Sequence, residues 1–169
     1  YGASGRLESL AMVGIFGLSS ALTPFIGQNF GAGRFDRLRA AIRFCFKFAL
    51  GWGGGTLILF IITAPYMASI FNQNPQVVQV IVFYLHILPL SYGASGVLEC
   101  ATSTFNAVNK PLHAASLIFI QLIALSLPLA WLGAKFYDWK GIFMGITLAN
   151  FLIGVIAYTL LHRFLRQLD

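Results

Sequence analysis

Leu10 to Phe30 is a run of 21 residues without a charged side chain. An uncharged apolar run of ~20 residues is long enough to cross the ~30 Å hydrocarbon core of a bilayer as a helix. The run stops at Gly31 and Gly33, and Arg34, Arg37, Arg39, Arg43 and Lys47 follow within fourteen positions. A dense Arg/Lys cluster at one end of a span marks its cytoplasmic side. One short segment thus sets the solvent and an orientation.

Four more runs follow. Phe48–Phe71, Val77–Leu98, Ala114–Ala134 and Gly141–Tyr158 are each free of Asp, Glu, Lys and Arg. The sequence therefore reads as an all-α integral membrane domain over residues 1–169. Its five spans are expected near 8–30, 46–71, 76–107, 113–134 and 141–162, joined by short connections marked by Pro75, Pro111 and the segment KFYDWKG. Composition agrees, with 58% hydrophobic and only 9% charged residues, whereas a water-facing domain carries roughly 25% charged residues. The net charge of +6 bunches at helix ends and does not form the basic face that a nucleic acid would need. Cys45 and Cys100 stand alone, with neither metal-type spacing nor enough partners for a disulfide framework.

Charge asymmetry sets the topology. The first loop holds five basic residues against Asp36, the third holds Lys110, and the C-terminal tail holds Arg163 and Arg166. The second loop, Asn72–Gln76, has none, and the fourth holds Lys135, Asp138 and Lys140, a weak counter-signal. Loops one and three and the C terminus are expected in the cytoplasm and the N terminus outside, in a multi-pass plasma-membrane protein. An outside start, no initiator Met and no signal peptide imply at least one further helix, so the chain reads as a piece of a longer protein.

Gly51/Gly55 and Gly141/Gly145 have GxxxG spacing, which suits close helix packing in lipid. Pro24, Pro65, Pro89 and Pro128 fall inside or near the ends of spans, where each removes a backbone hydrogen bond and can kink its helix.

Glu99 is the one acidic residue deep in an apolar stretch. A charge there costs at least ~2.5 kcal/mol on insertion scales, so such residues usually face a cavity or a partner. Tyr92, Ser95, Thr102, Ser103 and Asn106 share its helical face. Such a group can hold a proton or Na⁺. The alternative is a carboxylate near the cytoplasmic interface, satisfied by Lys110 or water. Arg6 and Glu8 read as an interfacial pair at the outer end of the first helix, although Glu8 could reach a cavity. Gln28, Gln121 and Asn150 are weaker cavity candidates, for which interhelical hydrogen bonding is the commoner role. His86, His113 and His162 lack partners at metal spacing, and no metal site is expected.

The string PFIGQNFGAGRFDRLRAAIR resembles the GQ-x-x-GAG-plus-basic signature that ends the second helix of a half in the multidrug and toxin extrusion (MATE) transporters. Gly27, Gln28, Asn29, Gly31, Ala32, Gly33, Arg34 and Arg37 carry it. Downstream, FNAVNKP at 105–111 looks like the segment closing the fourth helix of a half. The resemblance covers the whole chain as helices eight to twelve of a twelve-helix, two-bundle transporter. It implies secondary active efflux of amphipathic, cationic organic substrates by alternating access, driven by Na⁺ or H⁺ entry, with the N-terminal half and the bilayer as partners and no organic cofactor. Glu99 would couple the flows, with Tyr92, Ser95, Ser103 and Asn106 lining its cavity.

Three alternatives differ in class. A lipid-linked oligosaccharide flippase of the same superfamily would be expected to carry cationic residues inside its spans to meet a pyrophosphate, and none occurs here. An integral-membrane enzyme would need clustered catalytic groups, and Glu99 stands isolated. A non-transporting scaffold would give no vectorial flux.

Overall fold

The computed structural model describes residues 2–71 and 74–168, with side chains from residue 8 onward other than that of Phe71. The Arg6 half of the expected interfacial pair lies outside the described side chains. The described residues are helical, with no strand among them. α1 is Gly2–Gly31, α2 Phe35–Phe71, α3 Pro75–Ile87, α4 Tyr92–Ala107, α5 Pro111–Phe119 and α6 Leu127–Arg166. A 3₁₀ turn, Leu88–Ser91, joins α3 to α4, and a π-helical stretch, Ile120–Ser126, joins α5 to α6.

The basic segment after Gly33 is a helix, not a loop. Only Ala32–Arg34 separates α1 from α2, which begins at Phe35 rather than near residue 46. The cause is an apolar stripe within the charge cluster: Leu38, Ile42, Cys45 and Ala49 recur at helical spacing and are all fully buried. The arginines between them look outward.

Helix α1 ends by a Schellman motif. The Arg34 amide donates to the Asn29 carbonyl at 2.8 Å and the Gly33 amide to Phe30 at 3.1 Å, with Gly33 at φ 67°. Helix α4 ends the same way. Lys110 donates to Phe105 at 2.8 Å and Asn109 to Asn106 at 3.3 Å, with Asn109 at φ 58°. The two segments that carry the family resemblance are thus one backbone device used twice.

Four helical stretches among the described residues are long and apolar enough to cross a bilayer, against five expected: Glu8–Gly31, Phe35–Ile70, Pro75–Ala107 and Pro111–Arg166. The fourth and fifth expected spans both fall within the last of these stretches, on either side of an interruption at Tyr137 and Asp138. That 56-residue stretch is not straight. Tyr137 and Asp138 leave helical geometry, Asp138 with φ 51°. Beyond them the chain folds back, so that Gln121 hydrogen-bonds Asn150 at 3.1 Å, although 29 residues of straight helix would separate them by about 44 Å. The glycines permit this hairpin. Gly133 and Gly141 meet backbone to backbone, and a Cβ on Gly145 would fall 2.6 Å from the Leu129 carbonyl carbon.

The prolines act unequally. Pro24 and Pro65 sit inside uninterrupted helices. Pro89 coincides with the 3₁₀ turn, so the expected span 76–107 is two helices in line. Pro128 follows the π stretch, where the widened helix absorbs its missing N–H.

Helix α4 is central and packs against α1, α2, α5 and α6. One apolar core joins α1, α2, α4 and α6 through Leu22, Ile26, Leu38, Phe105 and Leu161, and a second gathers Phe60, Leu85, Tyr92 and Phe143. Outside, Leu10, Ile58, Ile62, Ile70 and Trp131 are exposed, as lipid-facing side chains are.

Two sequence expectations are corrected here. Cys45 and Cys100 are not solitary: they form a disulfide between α2 and α4. They are 55 residues apart in sequence, and the packing of two buried helix faces brings them together. Gly51 and Gly55 make no packing contact among the described residues, where both are exposed with no atom within 4 Å of a Cβ position. Gly53, between them, is the buried one, with its Cβ position 2.7 Å from Gly93 Cα on α4.

Candidate functional site

The break at Pro89 gives the site its polar wall. A proline lacks an N–H, so the preceding turn loses a backbone bond. Polar side chains gather at this level. Ser91 Oγ donates to the Leu88 carbonyl at 2.9 Å, Asn150 Nδ2 donates to Ser91 Oγ at 3.1 Å, and Gln121 Nε2 donates to Asn150 Oδ1. Thr147 Oγ1 reaches the Ile87 carbonyl at 3.4 Å. The chain ties the α3–α4 junction to both arms of the terminal hairpin.

Beside this network lies a cavity of about 500 Å³, within the range of small-molecule sites. From α4 come Tyr92, Ser95 and Glu99, three residues spaced to share one helical face. From α1 come Glu8, Met12 and Phe16, spaced by four. Gln121 and Asn150 close the third side. Glu8 accepts a hydrogen bond from the Tyr84 hydroxyl of α3. The Tyr92 hydroxyl is buried without a hydrogen-bond partner. The Glu99 carboxylate takes no hydrogen bond or ion pair among the described residues, and Lys110 lies elsewhere, 4.4 Å from the centre of the Phe164 ring. Lys110 therefore does not satisfy Glu99, and the interfacial reading keeps only its water alternative. Two carboxylates therefore share one cavity, and no Lys or Arg stands among its described lining residues.

Not every expected residue is here. Ser103 and Asn106 lie outside the cavity, Ser103 buried and Asn106 exposed. The cavity lining on α4 ends at Glu99, and below it α1 approaches α4, where a Cβ on Gly27 would meet the Ala107 carbonyl at 3.5 Å. Gln28 is exposed near the end of α1, away from the cavity, and its carbonyl accepts from the Ala32 amide. Within the signature, Asn29 is buried and donates to the Phe25 carbonyl at 2.8 Å. Glu8, by contrast, lines the cavity. Its signal was positional: α1 starts at Gly2, so Glu8 lies inside the helix and aligns with Met12 and Phe16.

The MatE family profile matches residues 1–132. The chain belongs to the MatE family. This MatE chain is 35% identical over 163 residues to the FAD transporter of Shewanella oneidensis, a match covering 96% of the chain and 36% of that protein. It superimposes on the Vibrio cholerae MATE transporter VcmN in its bent form with a TM-score of 0.93 at 30% identity, covering 98% of the chain and 38% of VcmN. A MOP superfamily transporter from Pyrococcus furiosus, 18% identical, shares the fold at a TM-score of 0.92. The MatE chain spans little more than a third of the length of each of these relatives. It is a multi-pass membrane protein of a transporter family that is in general not enzymatic.

Proposed function

We propose that this MatE chain forms the cation-coupling part of a secondary active exporter of amphipathic organic solutes, with Na⁺ or H⁺ as the driving ion. The observation that carries the proposal is the cavity that holds Glu8 and Glu99 with no basic residue in its described lining. Carboxylates in a largely apolar enclosure bind a cation or a proton to offset the cost of burying charge. A coupling ion and a cationic substrate then compete for the same acidic groups, and such antagonism between two ligands is a coupling free energy. Tyr92, Ser95, Gln121 and Asn150 supply neutral oxygens around them. The same lack of cationic lining disfavours the flippase reading.

A second reading concerns the substrate. Identity to a FAD transporter over nearly the whole chain favours a dinucleotide cargo. In that reading Glu8 and Glu99 serve the ion alone, and the rest of the transporter meets the pyrophosphate.

The sidedness proposal also has support. The N-terminal end of α2 and the C-terminal end of α6 lie together, with Arg39 Nη2 donating to the Leu165 carbonyl at 3.4 Å. Most basic residues therefore sit at one end of the molecule, which we assign to the cytoplasm.

The test uses the full-length transporter in proteoliposomes under an imposed Na⁺ or H⁺ gradient, with ethidium and FAD as alternative cargoes. Glu99→Gln preserves size and removes the charge. It should lower ion-driven efflux by about fivefold or more, the lower end of usual coupling energies, while Asn106→Ala leaves it unchanged. Wild-type flux and ion dependence in both Glu99→Gln and Glu8→Gln would refute the coupling role.

A further inference from the structure

At the basic end of the molecule a second cavity, about 430 Å³, opens between α2 and α6. Arg39, Arg43, His162 and Arg166 stand on its walls, and no carboxylate stands among its described lining residues. Its floor is aromatic. Phe46 and Tyr158 have ring centroids 5.5 Å apart, and Tyr158 stacks on His162 at 5.9 Å. Arg39 is held by Asp36 at 3.6 Å and by the Leu165 carbonyl, while Arg43 and Arg166 are exposed.

Tyr158 also lines a third cavity of about 430 Å³, with apolar walls from Leu50, Gly54, Pro89, Phe151 and Val155. The two cavities meet at this tyrosine and form one groove along α2 and α6. From Arg43 to Gly54 it runs about 16 Å at 1.5 Å per residue, close to half of the ~30 Å hydrocarbon core, which is one leaflet. One end is cationic and the other wholly apolar. The groove uses Gly93, Ala94 and Val97 of α4, the face opposite Tyr92, Ser95 and Glu99.

We propose that this groove is a binding site for an anionic phospholipid of the leaflet at the basic end, its phosphate on Arg39, Arg43 and Arg166 and one acyl chain along Leu50, Gly54 and Val155. Charge complementarity selects the occupant. Guanidinium groups match phosphate geometry, and basic pockets between membrane helices recognise anionic headgroups. A zwitterionic lipid would bring its own cation to three arginines.

The experiment measures the unfolding temperature of the full-length transporter in uncharged detergent, titrated with phosphatidylglycerol, phosphatidylcholine or sodium phosphate. Phosphatidylglycerol should raise it saturably, and the other two should not. Arg43→Ala with Arg166→Ala should raise the half-saturating phosphatidylglycerol concentration about tenfold or more. Lys47→Ala with Arg163→Ala, which removes equal charge outside the groove, should leave it unchanged. Gly54→Leu, at a position where a Cβ meets nothing within 4 Å, fills the apolar half with every arginine intact and should weaken binding too. It decides the matter if the arginine variant does not fold. The proposal is overturned by wild-type titration in the arginine variant or in Gly54→Leu. It is equally overturned by equal loss in the charge-matched control, or by an equal response to phosphatidylcholine or to phosphate alone.

Discussion

Gly53→Ala probes how closely α2 approaches α4. A methyl at Gly53 would sit 2.7 Å from Gly93 Cα and 3.1 Å from the Tyr92 carbonyl carbon. Carbon atoms rest at roughly 3.5–4.0 Å, so the helices must part by about 1 Å at this point. The obstructing atoms are backbone, which no side-chain rotation can clear. Overpacking of this kind costs about 1–3 kcal/mol. Gly→Ala also gains up to about 1 kcal/mol of helix propensity, which would mask part of the effect. Gly51→Ala and Gly55→Ala remove that ambiguity, since they carry the same gain on the same helix and meet nothing within 4 Å. The full-length transporter carrying each substitution is unfolded by denaturant in detergent micelles. Gly53→Ala should be less stable than either control by about 1–3 kcal/mol. Because Tyr92 lines the carboxylate cavity, Gly53→Ala should also reduce ion-driven efflux. Equal stability of the three variants would refute the close approach of α2 to α4 at Gly53.

Gly33→Val forces a β-branched residue to φ 67° and should destabilise by about 1–3 kcal/mol, measured in the same unfolding assay. Gly31→Val, at the last helical residue of α1 with open space around it, should be near neutral. Asp36, whose side chain is fully exposed at the start of α2, reports sidedness. A single cysteine there, with Cys45 and Cys100 replaced by serine and transport retained, should react with an impermeant maleimide only after cells are opened, and labelling of intact cells would reverse the orientation.

Much of the fold is legible in the chain. Charge-free length names the solvent, because a helix buried in lipid can satisfy its backbone only internally. The Leu10–Phe30 run and the glycine–arginine boundary after it mark the end of α1, and Asn109 before Pro111 marks the end of α4. Edges defined by charge were the weak point. Helix α2 extends into the basic segment because Leu38 and Ile42 give those residues a buried face.

The site divides similarly. Residue type and helical spacing alone singled out Glu99, with Ser95 and Tyr92 one and two turns away, since a carboxylate among apolar residues is costly wherever the chain goes. Gln121 and Asn150 were legible only as weaker cavity candidates, and what brings them to Glu99 was not. Glu8 joins the cavity from α1, Gln121 and Asn150 arrive through a hairpin that reverses the chain, and Cys45 finds Cys100 across two helices. Asn106 keeps the right periodicity yet is exposed outside the cavity. Local sequence determines where helices lie, what they cap with and which solvent they tolerate, through bonds and solvation that span a few residues. Which helix faces meet depends on backbone approach between distant segments, such as Gly53 on Gly93 or Gly133 on Gly141. Only the packed tertiary structure decides that.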